Sequence, residues 1–122
     1  SLPEAQAITG FQDPDDVAKS LLESGPRVVA LKMGDQGCLV RSVKGVHLRL
    51  SAYKVEAVDA TGAGDAFAAG FIAGVYLGWS LEETSHLANA VGALCVTGVG
   101  ASGGVRSLEE TLQFMQNTPL RS

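Results

Sequence analysis

The sequence contains few of the residues and motifs that mark several common protein classes. Its two cysteines form no CxxC pair, which favours a reduced, cytoplasmic protein. Nine basic against 13 acidic residues leave a net charge of −4 and no basic stripe, so nucleic acid is not an expected partner. The first ten residues have neither a basic start nor an apolar stretch, and no signal peptide is visible. The pattern GxxxxGK(S/T) is also absent, which argues against a P-loop kinase.

No apolar run is long enough to cross a membrane, although residues 66–79 are uncharged. Asp65 and Glu82 bracket only sixteen positions, whereas a spanning helix needs roughly 20 apolar residues. Glycines recur within this run at GxxxG spacing, at Gly70, Gly74 and Gly78. The pattern therefore predicts a buried helix that packs closely through its glycines, and no membrane partner.

The remaining composition is typical of one globular domain, with 122 residues, 46% of them hydrophobic, and a mean hydropathy of +0.19. The predicted order is helix, strand, hairpin and three further helices, which indicates an α/β fold with a small sheet. A continuous apolar run at residues 28–31 predicts a strand buried on both faces. Alternation at residues 46–50 predicts a half-buried strand. Three helix starts are predicted at capping residues: Asp13, Ser80 and Ser107.

The most informative segment is the run DATGAGD at residues 59–65, which precedes an apolar helical segment. Its small residues leave backbone N–H groups bare at a helix N-terminus, where a phosphate is attracted. Asp65 then lies beside the anion, where a carboxylate accepts a proton from an incoming hydroxyl, so the segment points to phosphoryl transfer. Two plainer interpretations stay open: Asp65 as a first-turn acid that favours the helix dipole, and Asp59 as a turn former instead of a cation ligand.

The run DATGAGD, followed by Ala66, Phe67 and Gly70, resembles the C-terminal signature of the ribokinase family, the PfkB-type carbohydrate kinases. Residues 32–37 are similar to that family's nucleotide-side loop, which has the pattern Leu-Gly-x-x-Gly. Residues 90–101 resemble its late helix and following loop. Residues 4–10 resemble the tail of its Asn-x-x-Glu helix. The resemblance implies the C-terminal portion of a ribokinase-like fold, a small sheet with a hairpin packed by several helices.

The resemblance also implies a role for each matched residue. Asp65 matches the base that deprotonates the acceptor hydroxyl. The anion hole for the transferred phosphoryl group is matched by Gly62, Ala63 and Gly64. The matched nucleotide-side residues are Gly34, Gly37 and, near the adenine, Asn89. The residues implied for metal ions are Glu4 for magnesium, and Asp59, Thr61, Cys95, Gly98, Gly100 and Gly104 for a monovalent cation such as K⁺.

Two residues and the chain length depart from the family pattern. Ser1 stands where the family has the Asn of Asn-x-x-Glu. Lys32 stands where many members have Thr, and it is either a phosphate contact or a strand-end lysine that reaches solvent. Family members are much longer, so we expect residues 1–122 to be the C-terminal nucleotide-binding and catalytic portion, without the sugar-binding half and lid. Such a portion could be inactive alone, or pair through open sheet edges into a homodimer.

The function implied by the resemblance is ATP-dependent phosphorylation of a sugar or nucleoside hydroxyl, with Mg²⁺ and, as a further cofactor, K⁺. The alternative from another class is a non-catalytic nucleotide-binding or regulatory module. The alternative acceptor is a vitamin precursor, phosphorylated by a kinase of the same fold. Residues 98–103 also satisfy GxGxxG, but they follow a helical pattern and no acid lies about 20 positions later, which argues against a dinucleotide site.

Overall fold

The computed structural model describes residues 1–97 and 107–121 of the chain. Three strands form one antiparallel sheet in the order β1-β2-β3, with β1 at Val28–Lys32, β2 at Cys38–Ser42 and β3 at His47–Leu50. In this part of the chain the α-helices are α1 Leu2–Thr9, α2 Pro14–Glu23, α3 Ala63–Tyr76, α4 Leu81–Val96 and α5 Leu108–Asn117. A 3₁₀ turn, Gly34–Gln36, connects β1 to β2. A small sheet with a hairpin and several helices is the α/β arrangement expected from the sequence.

The predicted capping residues lie at helix starts in the structure. The Asp13 carboxylate accepts hydrogen bonds from the N–H groups of Asp15 and Asp16 at the start of α2. Ser80 and Glu83 form a reciprocal capping box at the start of α4. These predictions are confirmed because each cap depends only on neighbours within one helical turn.

The strand buried on both faces is β2, and not β1 as the apolar run suggested. β1 pairs only with β2 in the described sheet, so Val29 and Leu31 are buried while Val28 is 38% exposed. β2 pairs on both sides, and its residues Leu39 and Val40 contribute to different cores with no exposed surface. A continuous apolar run does not show which helices cover each face of a strand: α2 packs against both β1 and β2, whereas α4 packs against β2 and β3.

The sheet separates two hydrophobic cores. On one face, α1 and α2 pack against β1 and β2 around Val17, Ala18 and Leu39, which are fully buried. On the other face, α3 and α4 cover Val40 through Phe67 and Ala88. Full burial of a valine, leucine or phenylalanine side chain contributes roughly 1.5–3 kcal/mol, so both cores stabilise the layered arrangement. This packing holds the start of α3 and the end of β1 in a fixed relation.

α3 and α4 pack against each other at positions without side chains. A Cβ on Gly70 would lie 3.0 Å from the Cα of Ala88, and a Cβ on Gly74 would lie 2.5 Å from Thr84 Oγ1. The predicted helix packed through its glycines is confirmed at these two positions. Gly78 takes no part in the packing, because it is exposed and lies beyond the end of α3. Among the described helices, none is both long and apolar enough to cross a membrane.

A steric constraint distinguishes two glycines that share a left-handed φ. At Gly37 (φ 88°) an added Cβ would lie 1.9 Å from the carbonyl oxygen of Leu50, whereas Gly45 (φ 92°) has open space around it. We expect Gly45→Ala to lower the free energy of unfolding by about 1–2 kcal/mol through backbone strain. Gly37→Ala should lower it by at least about 2 kcal/mol more, because the backbone of Leu50 must move. Urea unfolding measures both variants, and equal losses would contradict the steric argument.

Candidate functional site

The segment before α3 folds into a tight turn that ends at the first residue of the helix. The N–H of Ala63 donates to the carbonyl oxygen of Ala60 at 3.1 Å, and Gly62 between them has φ 79° and ψ 0°. Those angles are typical of the third residue of a type II turn, a place that favours glycine. Asp59 also supports the turn, because its Oδ1 accepts from the N–H of Thr61 at 2.9 Å. The turn-forming role considered for Asp59 is therefore present in the structure.

Three N–H groups at the start of α3 have no acceptor in the described part of the chain, those of Gly62, Gly64 and Asp65. The next amide, that of Ala66, donates to the carbonyl of Gly62 at 2.9 Å and begins the helical pattern. Bare N–H groups at a helix N-terminus form the positive end of the helix dipole and attract anions. The structure differs from the predicted anion hole at Ala63, whose N–H closes the turn and is not available to an anion.

A cleft with a volume of about 650 Å³ lies between the start of α3, one face of α4 and the loop after β1. This volume is in the range of small-molecule sites. The cleft brings together predicted nucleotide-side residues and two residues of the predicted anion hole: Lys32, Gly34, Gly37, Asn89, Ala63 and Gly64. Residues from three separate segments of the chain thus line one cavity, as a single ligand site requires.

The Lys32 ammonium lies beside the first turn of α3. A Cβ on Gly64 would be 2.7 Å from Lys32 Nζ. Gly64 is within the helix and has no positive φ, so glycine here provides room for the ammonium rather than backbone freedom. No carboxylate forms an ion pair with Lys32 in residues 1–97 and 107–121. A cation at the positive end of a helix is unfavourable unless an anion joins it, which favours anion binding at this point.

The carboxylates predicted to act in catalysis and magnesium binding do not line the cleft. Asp65 is exposed in the first turn of α3, where an acid also has the plainer effect of favouring the helix dipole. Glu4 is exposed on α1. A hydrogen bond from the Ser1 hydroxyl is the largest cause that lowers the pKa of the Glu4 carboxyl, and the Lys32 charge makes a smaller contribution. Both carboxylates are open to ligands that approach from outside the cleft.

Asn89 is buried and forms part of the cleft wall. Its Nδ2 donates to the carbonyl oxygen of Ser51 at 3.3 Å, which ties α4 to the segment after β3. The same side chain lies close enough to the thiol of Cys38, which has no exposed surface, to influence the pKa of that thiol. Burial raises the pKa of Cys38 to about 11, and the nearby Asn89 side chain opposes that rise. The contacts of Asn89 therefore stabilise the wall, and its contact with adenine stays a prediction.

Side chains that bind metals are sparse in the part of the chain that the structure describes. No group of three or more His, Cys, Asp or Glu residues there could hold a metal ion. Of the residues expected at a monovalent-cation site, Asp59 and Thr61 adjoin each other in the turn. Gly98, Gly100 and Gly104 lie outside the described residues, as does the GxGxxG pattern. A cation site built mainly from backbone carbonyls would not form such a side-chain cluster.

Two contributions to the cleft were missed from the sequence. Arg121 lines it, and the N–H of Arg121 donates to the carbonyl of Ala52 at 2.8 Å. A backbone pairing as short as this one between Arg121 and Ala52 leaves no recognisable pattern in the sequence. Gly92 on α4 also lines the cleft, and an added Cβ would lie 3.6 Å from the Ala63 carbonyl oxygen. Gly92 lies three residues after Asn89 and therefore on the same helix face, and this spacing could have identified it as a cleft residue.

Sequence similarity connects the chain to a known family. The family described as pfkB family carbohydrate kinase matches residues 1–108. An uncharacterized sugar kinase from Archaeoglobus fulgidus is 37% identical over 107 residues, which is 85% of this chain and 42% of that protein. The chain spans about a third to two fifths of the length of the curated relatives it matches.

Solved structures share the fold. A ribokinase from Thermotoga maritima gives a TM-score of 0.87 at 31% identity, over 94% of this chain and 40% of that chain. An aminoimidazole riboside kinase from Salmonella enterica, solved with aminoimidazole riboside and an ATP analog, gives a TM-score of 0.83 at 28% identity, over 93% of this chain and 40% of that chain. The ribokinase-like fold predicted from the sequence is confirmed by these likenesses.

Burial of the Cys38 thiol should make folding stability depend on pH. The pKa of Cys38 is raised from 9.0 to about 11, so between those values the folded state keeps a proton that the unfolded state releases. The contribution to the free energy of unfolding should be fully present below about pH 9 and fall by roughly 2–3 kcal/mol by about pH 11. Urea unfolding at a series of pH values measures this fall.

Cys38→Ser is the matched control for this measurement, because its hydroxyl does not titrate in that range. Burial also raises the pKa of Tyr53, which adds a pH dependence in the same direction that both proteins share. The parent protein should therefore lose more stability than Cys38→Ser as the pH rises. Parallel curves for the two proteins would contradict the assignment.

Proposed function

The chain belongs to the pfkB family of carbohydrate kinases, and from that premise we propose that it binds ATP and supplies the phosphate-transferring part of a sugar or nucleoside kinase. The observation that carries the proposal is that three N–H groups at the start of α3, without acceptors in the described residues, meet the Lys32 ammonium beside the cleft. Residues 1–122 would be the C-terminal nucleotide-binding portion of the enzyme. Because the chain spans about a third to two fifths of its relatives, the activity of the whole protein belongs to the proposal.

Recognition of the terminal phosphate is the first part of the proposal. The N–H groups of Gly62, Gly64 and Asp65 are donors without acceptors in the described residues, and a hydrogen bond to a charged group contributes about 1.5–3 kcal/mol. Lys32 adds a positive charge beside them. Phosphoryl transfer requires positioning and charge stabilisation more than covalent chemistry, so fixed donors and a cation suit it. The N–H of Ala63 closes the turn by donating to the carbonyl of Ala60, so it is not proposed to contact the phosphate.

The remainder of the nucleotide is proposed to occupy the cleft. A volume of about 650 Å³ is in the range of cavities that hold small-molecule cofactors. Gly34 lines it with open space where a side chain would lie, so its backbone can approach a ligand closely, whereas the side-chain position of Gly37 is taken by the Leu50 carbonyl. With Nδ2 of Asn89 bonded to Ser51, the amide oxygen of Asn89 remains an acceptor that suits the amino group of adenine.

Asp65 is proposed as the group that takes the proton of the acceptor hydroxyl. Its carboxylate is exposed one residue after Gly64, so an acceptor that arrives from outside the cleft could meet the carboxylate and the phosphate together. As the hydroxyl oxygen forms its bond to phosphorus, the proton passes to the carboxylate, and the bond from phosphorus to the bridging oxygen of ATP breaks. The acceptor is a sugar or a nucleoside.

Two cations complete the proposal. Glu4 is an exposed carboxylate with a lowered pKa, which suits Mg²⁺ because that ion prefers oxygen ligands. Asp59 and Thr61 would hold a monovalent cation such as K⁺ together with Gly100. Mg²⁺, when bound with ATP, would neutralise charge on the phosphates. The turn offers the Asp59 carboxylate and backbone carbonyl oxygens, and oxygen ligands of both kinds are compatible with such hard cations.

A nucleotide-binding or regulatory module without catalysis is the second candidate. The exposure of Asp65 outside the cleft lining favours it, since an acid that meets no acceptor has only a structural effect. A kinase of a vitamin precursor would use the same loop with another acceptor. A transfer assay from ATP to a panel of sugars, nucleosides and vitamin precursors separates the three, and ATP binding without transfer supports the module.

Lys32 and Gly64 are the residues whose replacement tests phosphate binding. Lys32→Met removes the ammonium and keeps most of the apolar side chain, so the Kd for ATP should rise roughly tenfold, or about 1.4 kcal/mol. Gly64→Ala should weaken binding to a similar extent, because its methyl group displaces the ammonium. Isothermal titration calorimetry measures both effects. The double variant should lose less than the product of the single effects, since both act through one ammonium.

The control for these variants is Lys44→Met, which removes an ammonium from the exposed hairpin turn. Its Kd for ATP should equal that of the parent. The proposal for Lys32 fails if Lys32→Met binds ATP as the parent does, or if Lys44→Met loses as much affinity.

Asp65→Asn keeps the shape of the side chain but removes its ability to accept a proton. In a form of the protein that phosphorylates an acceptor, turnover should fall by roughly 10²-fold or more, with little change in the Kd for ATP. Asp16→Asn is the matched control, because Asp16 is an exposed first-turn acid of α2. Near-normal turnover in Asp65→Asn would remove Asp65 from the role of base.

A further inference from the structure

We infer that the thiol of Cys95 orients the peptide between Thr61 and Gly62, and thereby aims the Gly62 N–H at the anion. The inference rests on the proposed function for the identity of the anion, whereas the orientation of the peptide is a claim about the chain alone. Cys95 is then a positioning residue, which acts through Gly62 and does not touch the ligand.

Cys95 lies in the last turn of α4 and is 1% exposed. Its Sγ–H donates to the carbonyl oxygen of Thr61 at 3.5 Å, across 34 positions of the chain. The carbonyl of the adjacent Val96 accepts from the N–H groups of Val58 at 2.7 Å and of Asp59 at 3.1 Å. The last turn of α4 therefore holds both the segment that leads into the turn and the middle of the turn.

The hydrogen bond that closes the turn does not decide how the central peptide points. Turns of types I and II share the bond from the first carbonyl to the fourth N–H, here Ala60 to Ala63, and differ in the orientation of the peptide between their middle residues. Gly62 tolerates either form, because glycine adopts positive and negative φ with similar ease. Its observed φ of 79° belongs to the type II form. A contact outside the turn is needed to select that form.

The contact with Cys95 makes this selection. A trans peptide is planar, and its C=O and N–H point in opposite directions. The thiol holds the Thr61 carbonyl toward α4, so the Gly62 N–H of the same peptide points away from α4. No other hydrogen bond to this carbonyl is present within residues 1–97 and 107–121. A flipped peptide would place the carbonyl oxygen where the N–H now lies, and the oxygen would repel an anion.

The rival explanation for the buried position of Cys95 is that its side chain only fills space. Substitutions of Cys95 separate a packing role from donation to the Thr61 carbonyl. Cys95→Ser keeps a donor at nearly the same place, whereas Cys95→Ala and Cys95→Val remove it. A role limited to packing predicts that Ser, the more polar replacement in a buried position, behaves no better than Ala. Donation to Thr61 predicts that Ser restores what Ala loses. Val17→Ala, which opens space in the core on the opposite face of the sheet, controls for lost stability alone.

The experiment combines calorimetry with ATP and NMR of the ¹⁵N-labelled chain without nucleotide. For Cys95→Ala we expect the Kd for ATP to rise roughly fivefold, a modest change because a thiol is a weak donor. We also expect the Gly62 amide resonance to shift or broaden, as a second peptide orientation becomes populated. Cys95→Ser should return both quantities most of the way to the parent values. Val17→Ala should change neither.

The outcomes distinguish this inference from the proposed function. A parent-like Gly62 resonance in Cys95→Ala, or equal effects of Ala and Ser, would overturn the positioning role whatever the ATP affinity. If the parent chain binds no ATP, the proposed function and the aiming of the N–H at a phosphate both fail, and the NMR comparison still decides whether Cys95 sets the peptide. If ATP binds and the Gly62 resonance shifts with an unchanged Kd, the Gly62 N–H is not a ligand to the phosphate.

Discussion

The backbone contact between α3 and α4 is the constraint on which the rest of the structure depends. Gly70 and Gly74 carry no side chains where the helices meet, and Gly92 leaves the same freedom near the start of α3. A bulkier residue at either of the first two positions would force the helices apart. Because they are in contact, the first turn of α3 is held between the last turns of α4 and the end of β1. The candidate functional site lies at this junction.

That junction concentrates positive charge without a matching acid at ion-pair distance in the described residues. The positive end of the α3 dipole and the Lys32 ammonium repel each other. A charge at an unfavourable helix end lowers the stability of the fold by roughly 0.3–1 kcal/mol. The two cores on either side of the sheet bury several fully covered side chains, each contributing roughly 1.5–3 kcal/mol. The fold can therefore tolerate a cation at this helix end, and the proposed phosphate would relieve the repulsion.

Local features were predictable, and long-range ones were not. The caps at Asp13 and Ser80 follow from side chains that bond to amides two or three residues away, so the sequence contains all the information they need. The burial of both faces of β1 was predicted incorrectly, because an apolar run does not reveal which helices cover each face of a strand. The close approach of Lys32 to Gly64 also has no local signal, since the two residues lie on different elements and meet only when the sheet and α3 pack together.

The sequence by itself determined where the loop at residues 59–65 lies, that it opens a helix, and that glycines line the helix that follows. Only the tertiary structure decided which amides have no acceptor among the described residues, since the Ala63 N–H is used inside the turn and those of Gly62, Gly64 and Asp65 are not. It also decided that Asp65 lies outside the cleft and that Cys95 meets the Thr61 carbonyl. The physical reason is the distance along the chain over which each interaction acts. Turns and caps depend on bonds between near neighbours, whereas the direction of an N–H group in a glycine-rich turn depends on contacts that distant elements supply.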